Sequence, residues 1–321
     1  MQISLLDRTR TRAGETDAQA VAATVERAVR ADAMGFHRFW VAEHHSVPGI
    51  ASPTPSILLA AIGARTRRIR LGTGGIMVPN HRPLVIAEQA LLLEAMYPGR
   101  VDVGLGGSLG FIPAVREALG RRRIRDEEYR SEVAQVRELL HGKGAVRAMP
   151  QVAAPPVFLL AIRGGLTLAA QLGLPAVVGG SLLQNHEALD RYRATYQPSE
   201  AAPDPRVIAN VDVMIAESSD RARELLLPEA WSLADSRDVG EFRPLLPVDQ
   251  VQRLRSGADA KKQREIFQQL RRGVSGTADE VAAQLEQLLE DSGAEELLVS
   301  SSTYDRDAVA ASDEALARLL R

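Results

Sequence analysis

Cysteine is absent from the 321 residues. That excludes a disulfide framework, a thiolate nucleophile and a cysteine-ligated metal site. Aromatic residues make up only 4% of the chain, so Leu, Val, Ile and Ala must fill its core. Charge of neither sign is in excess: the net charge is −2, with no basic field to attract nucleic acid and no acidic tail. No apolar run approaches the roughly 20 residues of a membrane-spanning helix. Met1–Leu6 reads as a strand and lacks the charged-then-apolar pattern of a signal peptide. The expectation is a cytoplasmic protein with neither nucleic acid nor membrane as a partner. Phosphate-binding glycine motifs are missing too. No Gly-x-Gly-x-x-Gly follows the first strand with an acid after the second, and there is no Walker A motif, which disfavours a dinucleotide fold.

What is present is alternation. Eight strand-like runs (3–6, 38–45, 69–78, 101–105, 157–162, 175–178, 207–215 and 296–301) are separated by helical periodicity, as in Asp17–Met34 with Gly35 as its stop. Such alternation argues for parallel strands with helical crossovers, and eight units in one chain favour a closed (β/α)8 barrel, one domain over 1–321. Between the seventh and eighth strands, Pro228–Pro247 reads as irregular and Gln250–Arg272 as a charged helix. A 228–272 excursion of this kind is too long for a simple connection and reads as a lid or an interface element. The arginine-rich run 121–125 reads as a solvated helix start.

The densest chemistry lies in Arg38–His45, R-F-W-V-A-E-H-H, where a buried strand runs into Glu43, His44 and His45. Barrel enzymes build their sites at this end of the strands. The other strand ends supply Asp7-Arg8, Gly74-Gly75 leading to His81, Gly106–Gly110, Arg163–Gly165, Gly179-Gly180, Asn210 with Asp212, and Ser300–Thr303. Only Glu43 is well placed among carboxylates, so the facing pair of a glycosidase is lacking. A zinc site drawn from His44, His45 and His81 is disfavoured because adjacent side chains on a strand point to opposite faces, and no metal is expected. Three glycines within strand three (Gly72, Gly74, Gly75) leave room for a flat ligand against the backbone. An imidazole beside it can act as acid or base near neutral pH.

The runs R-F-W-V-A-E-H-H, A-R-T-R-R-I-R-L-G-T-G-G-I-M-V-P-N-H-R-P, A-E-Q, Y-P-G-R-V-D-V-G-L-G and, near the end, S-G-T-A-D-E-V and S-G-A-E-E-L-L-V occur in an order that resembles the bacterial luciferase-like flavin-dependent monooxygenases. The resemblance covers nearly the whole chain. It implies a (β/α)8 barrel that takes reduced FMN from a separate reductase. Oxygen adds to the flavin C4a, and the resulting peroxide or hydroperoxide oxidises an organic small molecule, in some relatives during natural-product tailoring. It also implies a homodimer. His44 would act as acid or base near the flavin, with Glu43 and His45 orienting it. Gly74-Gly75 would lie against the ring, in many members through a cis peptide, and His81 with Asp7 would line the substrate pocket.

Two positions depart from the family pattern. The phosphate-holding arginine after strand four is replaced in Gly106-Gly107-Ser108, and the serine-bearing turn after strand five reads Ile162-Arg163-Gly164-Gly165. Arg163 with the Gly164 and Gly165 N–H groups is the expected substitute. Two alternatives follow from the same residues: an F420-dependent oxidoreductase, or a barrel that has lost flavin binding and serves as a binding or partner subunit.

Overall fold

Side chains on the strands alternate between two destinations, and this sets the architecture. Leu6, Trp40, Ala42, Phe158, Val177, Ile208 and Leu298 form one buried cluster. Their strand neighbours Leu5, Phe39, Val41, Leu159, Val178, Ala209 and Leu297 belong to a second, larger one. The first fills a barrel and the second lies between its wall and the surrounding helices. The computed structural model describes residues 1–110, 112–162, 164–199 and 201–320. Its strands are β1 (Ile3–Asp7), β2 (Arg38–Val41), β3 (Arg70–Met77), β4 (Val101–Gly106), β5 (Val157–Ala161), β6 (Ala176–Gly179), β7 (Val207–Ile215), β8 (Val274–Gly276) and β9 (Glu296–Ser300). The first seven run parallel in sequence order, and β9 pairs with both β7 and β1 to close an eight-stranded barrel.

The helices are α1 (Asp17–Met34), α2 (Pro55–Gly63), α3 (Pro83–Met96), α4 (Pro113–Ala118), α5 (Asp126–Leu140), α6 (Gly165–Leu172), α7 (His186–Ala194), α8 (Ser219–Val239), α9 (Val248–Ser256), α10 (Ala260–Arg272), α11 (Ala278–Ser292) and α12 (Arg306–Ala317). Among the described residues, no helix is long and apolar enough to cross a membrane. Local chemistry marks the ends: Thr16 and Gln19 form a capping box on α1, and Gly35 closes it at φ 88°. The arginine-rich run before α5 is spent on ion pairs, Arg121 with Glu132, Arg122 with Glu117 and Arg125 with Glu128.

The excursion between β7 and β9 differs from the irregular stretch expected of its prolines. Helix α8 continues through Pro228 to Val239. A proline there forfeits one helical hydrogen bond, but Leu227, Ala230 and Ala234 are buried around it and packed with Val251 of α9 and Ile266 of α10, and Leu226 is buried against Met214 of β7. Tertiary burial outweighs the local break. The residues after α10 form β8, which pairs with the far end of β7 outside the barrel ring. Helix α4 was also not foreseen, since its six residues bury nothing that would mark a face.

Candidate active site

Strand β2 delivers Glu43, His44 and His45 to the C-terminal rim, and the three point to different tasks. Glu43 is 3% exposed. Its Oε1 accepts from His45 Nε2 at 2.6 Å and from His81 Nε2 at 2.7 Å, and its Oε2 accepts from the Met77 amide at 3.0 Å. One carboxylate therefore ties the end of β2 to the end of β3 and to the turn after it. Burial pushes the Glu43 carboxyl up, but hydrogen bonds from the two imidazoles and the amide outweigh it, and the group stays ionised. Glu43, His45 and His81 also form a group whose ligand atoms all lie within 4.8 Å of one another, the kind of set that can hold a metal ion. The hydrogen bonds already account for that proximity.

His44 turns away from this group. Its ring packs edge-on against Phe242, with centroids 6.1 Å apart. Its Nδ1 is buried with no hydrogen-bond partner. Burial, followed by the nearby Arg8 and Arg10 guanidinium groups, lowers its pKa to about 4. At neutral pH the imidazole is uncharged, with one ring nitrogen able to donate and the other to accept.

Phe242 and the charges around His44 come partly from the excursion. Arg8, the residue after β1, reaches Asp212 of β7 at 2.8 Å and Glu229 of α8 at 2.9 Å. Arg10 binds the other Glu229 oxygen at 2.9 Å, and its guanidinium lies 5.5 Å from the centre of the Phe242 ring. Despite burial, the two arginines hold Glu229 below its usual pKa. Burial raises Asp212 even with Arg8 beside it. Backbone bonds from Gly49 N to Phe242 O (2.8 Å) and from Leu245 N to Thr11 O (2.9 Å) fasten the segment after α8 to the rim. Sequence reading missed Glu229, Phe242 and Arg10. The available signals were a lone acid inside the apolar run L-L-L-P-E-A-W and the alternation R-T-R-T-R at 8–12.

The glycines divide into filled and open positions. The Gly74–Gly75 peptide is cis, as the resemblance implied. A Cβ on Gly72 would fall 2.0 Å from the Trp40 indole, and one on Gly74 would fall 2.5 Å from Leu6. The space left by these two glycines is thus occupied by the barrel's own side chains. A Cβ on Gly75 would meet the Gly104 carbonyl at 2.8 Å, so the two strands lie close there. A Cβ on Gly107 would approach the Tyr129 ring at 3.0 Å, whereas Gly164 and Gly180 have nothing within 4 Å. Ser108 is exposed, and its hydroxyl accepts from the Gly110 amide at 3.1 Å.

Two expectations need correction. Asp7 does not face the mouth: it shares the outward parity of Ile3 and Leu5 and is bound by Arg27 and Thr24 of α1, each at 3.0 Å. The Gly165 N–H is not free to hold an anion, because it donates to the Ile162 carbonyl at 2.9 Å. Arg163 lies outside the described residues.

The profile of the luciferase-like monooxygenase family matches residues 1–296. The chain is 31% identical over 315 residues to a protein of Escherichia coli (strain K12) named luciferase-like monooxygenase, covering 95% of this chain and 92% of that one. Among solved structures, apo-MsnO8 is similar over 99% of this chain and 98% of its own, with a TM-score of 0.90 and 29% identity. The oxygenating constituent of 3,6-diketocamphane monooxygenase from Pseudomonas putida, solved in complex with FMN, shares the fold at a TM-score of 0.75 and 19% identity, over 99% and 97% of the two chains. The chain belongs to the luciferase-like monooxygenase family.

Proposed function

We propose that this luciferase-like monooxygenase uses reduced FMN and O2 to oxidise an organic small molecule, with the flavin delivered by a separate reductase in the cytoplasm. The observation that carries the reading is the buried, unpartnered Nδ1 of a neutral His44 at the C-terminal end of β2. A buried polar atom without a partner is costly unless a ligand completes it. The residues present fit the ring end of a flavin. When bound, reduced FMN supplies the electrons that activate oxygen. His44 then offers a hydrogen bond or receives a proton at Nδ1. Glu43 keeps β2 in register with the Met77 amide and His81, so that the backbone of Gly74 and Gly75 is presented at a fixed height. Phe242, brought by the excursion, covers one side of His44 and excludes water, which makes residues 228–272 a fixed cover for the mouth.

The phosphate end takes a different form. Neither Gly107 nor the exposed Ile162 carries a charge. We assign the phosphate to Arg163, Ser108 and the Gly164 backbone. Substrates are organic molecules of the kind modified in natural-product tailoring. The homodimer forms through α2 and α3, where Ile57 (72% exposed), Val85 (44%), Leu92 (54%) and Met96 (44%) leave apolar surface uncovered.

Anaerobic titration of the full chain with FMNH2, alongside F420H2, tests the reading. Saturable binding of FMNH2 at micromolar concentrations is expected. His44→Ala should keep that binding and lose product formation once oxygen and substrate are added. Binding and oxidation of F420H2 in place of FMNH2 would move the protein to the deazaflavin branch of the fold. Binding of neither by folded protein would leave a barrel that acts as a partner subunit.

A further inference from the structure

A cavity of about 360 Å³ lies outside the strand wall between α1 and the start of α12. Arg12, Arg27, Arg30, Arg306 and Ser301 line it together with the acids Asp7, Glu26 and Asp307, and Ala23, Val309 and Ala310 form an apolar part of its wall. Its size lies in the range of small-ligand pockets, ~300–1,000 Å³.

Arginines outnumber carboxylates in its lining, and most of them are paired. Arg27 is committed to Asp7 and Asp313. Arg306 is committed to Glu15, and Glu26 is held by Arg65. Arg12 is different: it is 8% exposed, and its guanidinium donates only to backbone carbonyls, of Tyr304 at 2.8 Å and of Arg10 at 2.9 Å. Among the described residues no carboxylate pairs with it. A buried cation without a counter-ion is expensive, and a guanidinium fork suits an oxyanion. The second observation is independent of charge. Ser301, 2% exposed, has a buried Oγ with no hydrogen-bond partner. Its donor capacity is unused where the cavity begins.

We propose that this cavity binds a phosphate monoester of a small organic alcohol, the phosphoryl group held by Arg12 and the Ser301 hydroxyl and the organic body resting on Ala23, Val309 and Ala310. The site is separate from the barrel mouth. Arg12 bonds the carbonyl of Arg10, and the Arg10 side chain binds Glu229, so an occupant adjoins the network that fastens the excursion to the rim.

Calorimetric titration of the full chain at constant ionic strength, with phenyl phosphate and with inorganic phosphate as probes, tests this. Phenyl phosphate should bind saturably at one site per chain and more tightly than inorganic phosphate. Arg12→Gln should weaken it at least tenfold and Ser301→Ala severalfold. Ser301→Ala should leave the thermal midpoint in phosphate-free buffer unchanged, because that hydroxyl has no partner to lose, and so it remains informative if Arg12→Gln fails to fold. Absence of saturable heat with folded protein would overturn the proposal. So would binding of inorganic phosphate alone, or affinities that neither variant changes.

Discussion

Replacing His44 by Gln should flatten part of the protein's acid sensitivity, and the size of the effect follows from the environment of the ring. In the native state His44 titrates at about 4, against 6.5 in an unfolded chain, because burial and the Arg8 and Arg10 charges disfavour the imidazolium. Between those two values the unfolded chain binds a proton that the folded chain does not. Stability therefore rises with pH across the window and is lost as pH falls from about 6.5 towards 4. At 1.36 kcal/mol per pK unit, His44 alone accounts for about 2.5 kcal/mol of the loss between pH 7.5 and 4.5. Urea denaturation of both proteins at several pH values and fixed ionic strength measures this. Carboxylates that titrate in the same range are common to both and cancel in the difference. The wild-type curve should fall faster than the His44→Gln curve by about 2.5 kcal/mol. Parallel curves would refute a neutral, desolvated His44, and with it a ring that meets its ligand uncharged.

Two further substitutions probe the frame around the site. Gly72→Ala places a methyl 2.0 Å from the indole of the fully buried Trp40, whose Nε1 donates to Asp102 at 3.2 Å; overpacking there should cost about 3 kcal/mol, read as a lowered denaturant midpoint, and an unchanged midpoint would show that the barrel interior is looser than this packing implies. Glu229→Gln removes the shared counter-ion of Arg8 and Arg10; the loss should be about 3 kcal/mol, with faster amide exchange confined to residues 219–272, and unchanged exchange there would mean the excursion is fastened without this carboxylate.

Much of the barrel was legible because its signals are local. Helix α1 runs over Asp17–Met34 as its periodicity indicates and stops at Gly35, and β7 is bounded as its alternation indicates. Glu43 and His44 could be placed at a strand end because they follow the apolar run Phe39–Ala42, and Gly74-Gly75 stand out as adjacent glycines within a strand. What stayed hidden depends on contacts distant in sequence. Glu229 lies 221 residues from Arg8, and nothing in the helix that carries it announces a partner at the end of β1. Pro228 reads as a break until the burial of its neighbours against α9 and α10 is known. Asp7 was misplaced because the last residue of a strand can face either way, and only register shows that its parity is that of the outward Leu5. The glycines of β3 were assigned to a ligand, although two of them first make room for Trp40 and Leu6.

The two ends of the mouth are built differently, for separable physical reasons. At the ring end every element is cross-braced: Glu43 fixes three donors with two oxygens, and His44 is enclosed by Phe242 and the charges of Arg8 and Arg10. Changing one of these residues disturbs the others, so the arrangement is kept or lost as a unit. Around Gly107 the constraint is one of volume. The Tyr129 ring comes within 3.0 Å of where a side chain on residue 107 would begin, so ring and side chain compete for one space. The Tyr129 hydroxyl is buried and unpartnered, and burial raises its pKa, so it brings no charge in place of a cation. The ring leaves little room for a long side chain at residue 107 itself, and the neighbouring cation, Arg116 of α4, is bonded instead to the Gly110 carbonyl. On the function proposed above, the phosphate contact falls to the turn after β5, so substitutions in that turn should change flavin affinity while His44→Ala leaves it unaltered.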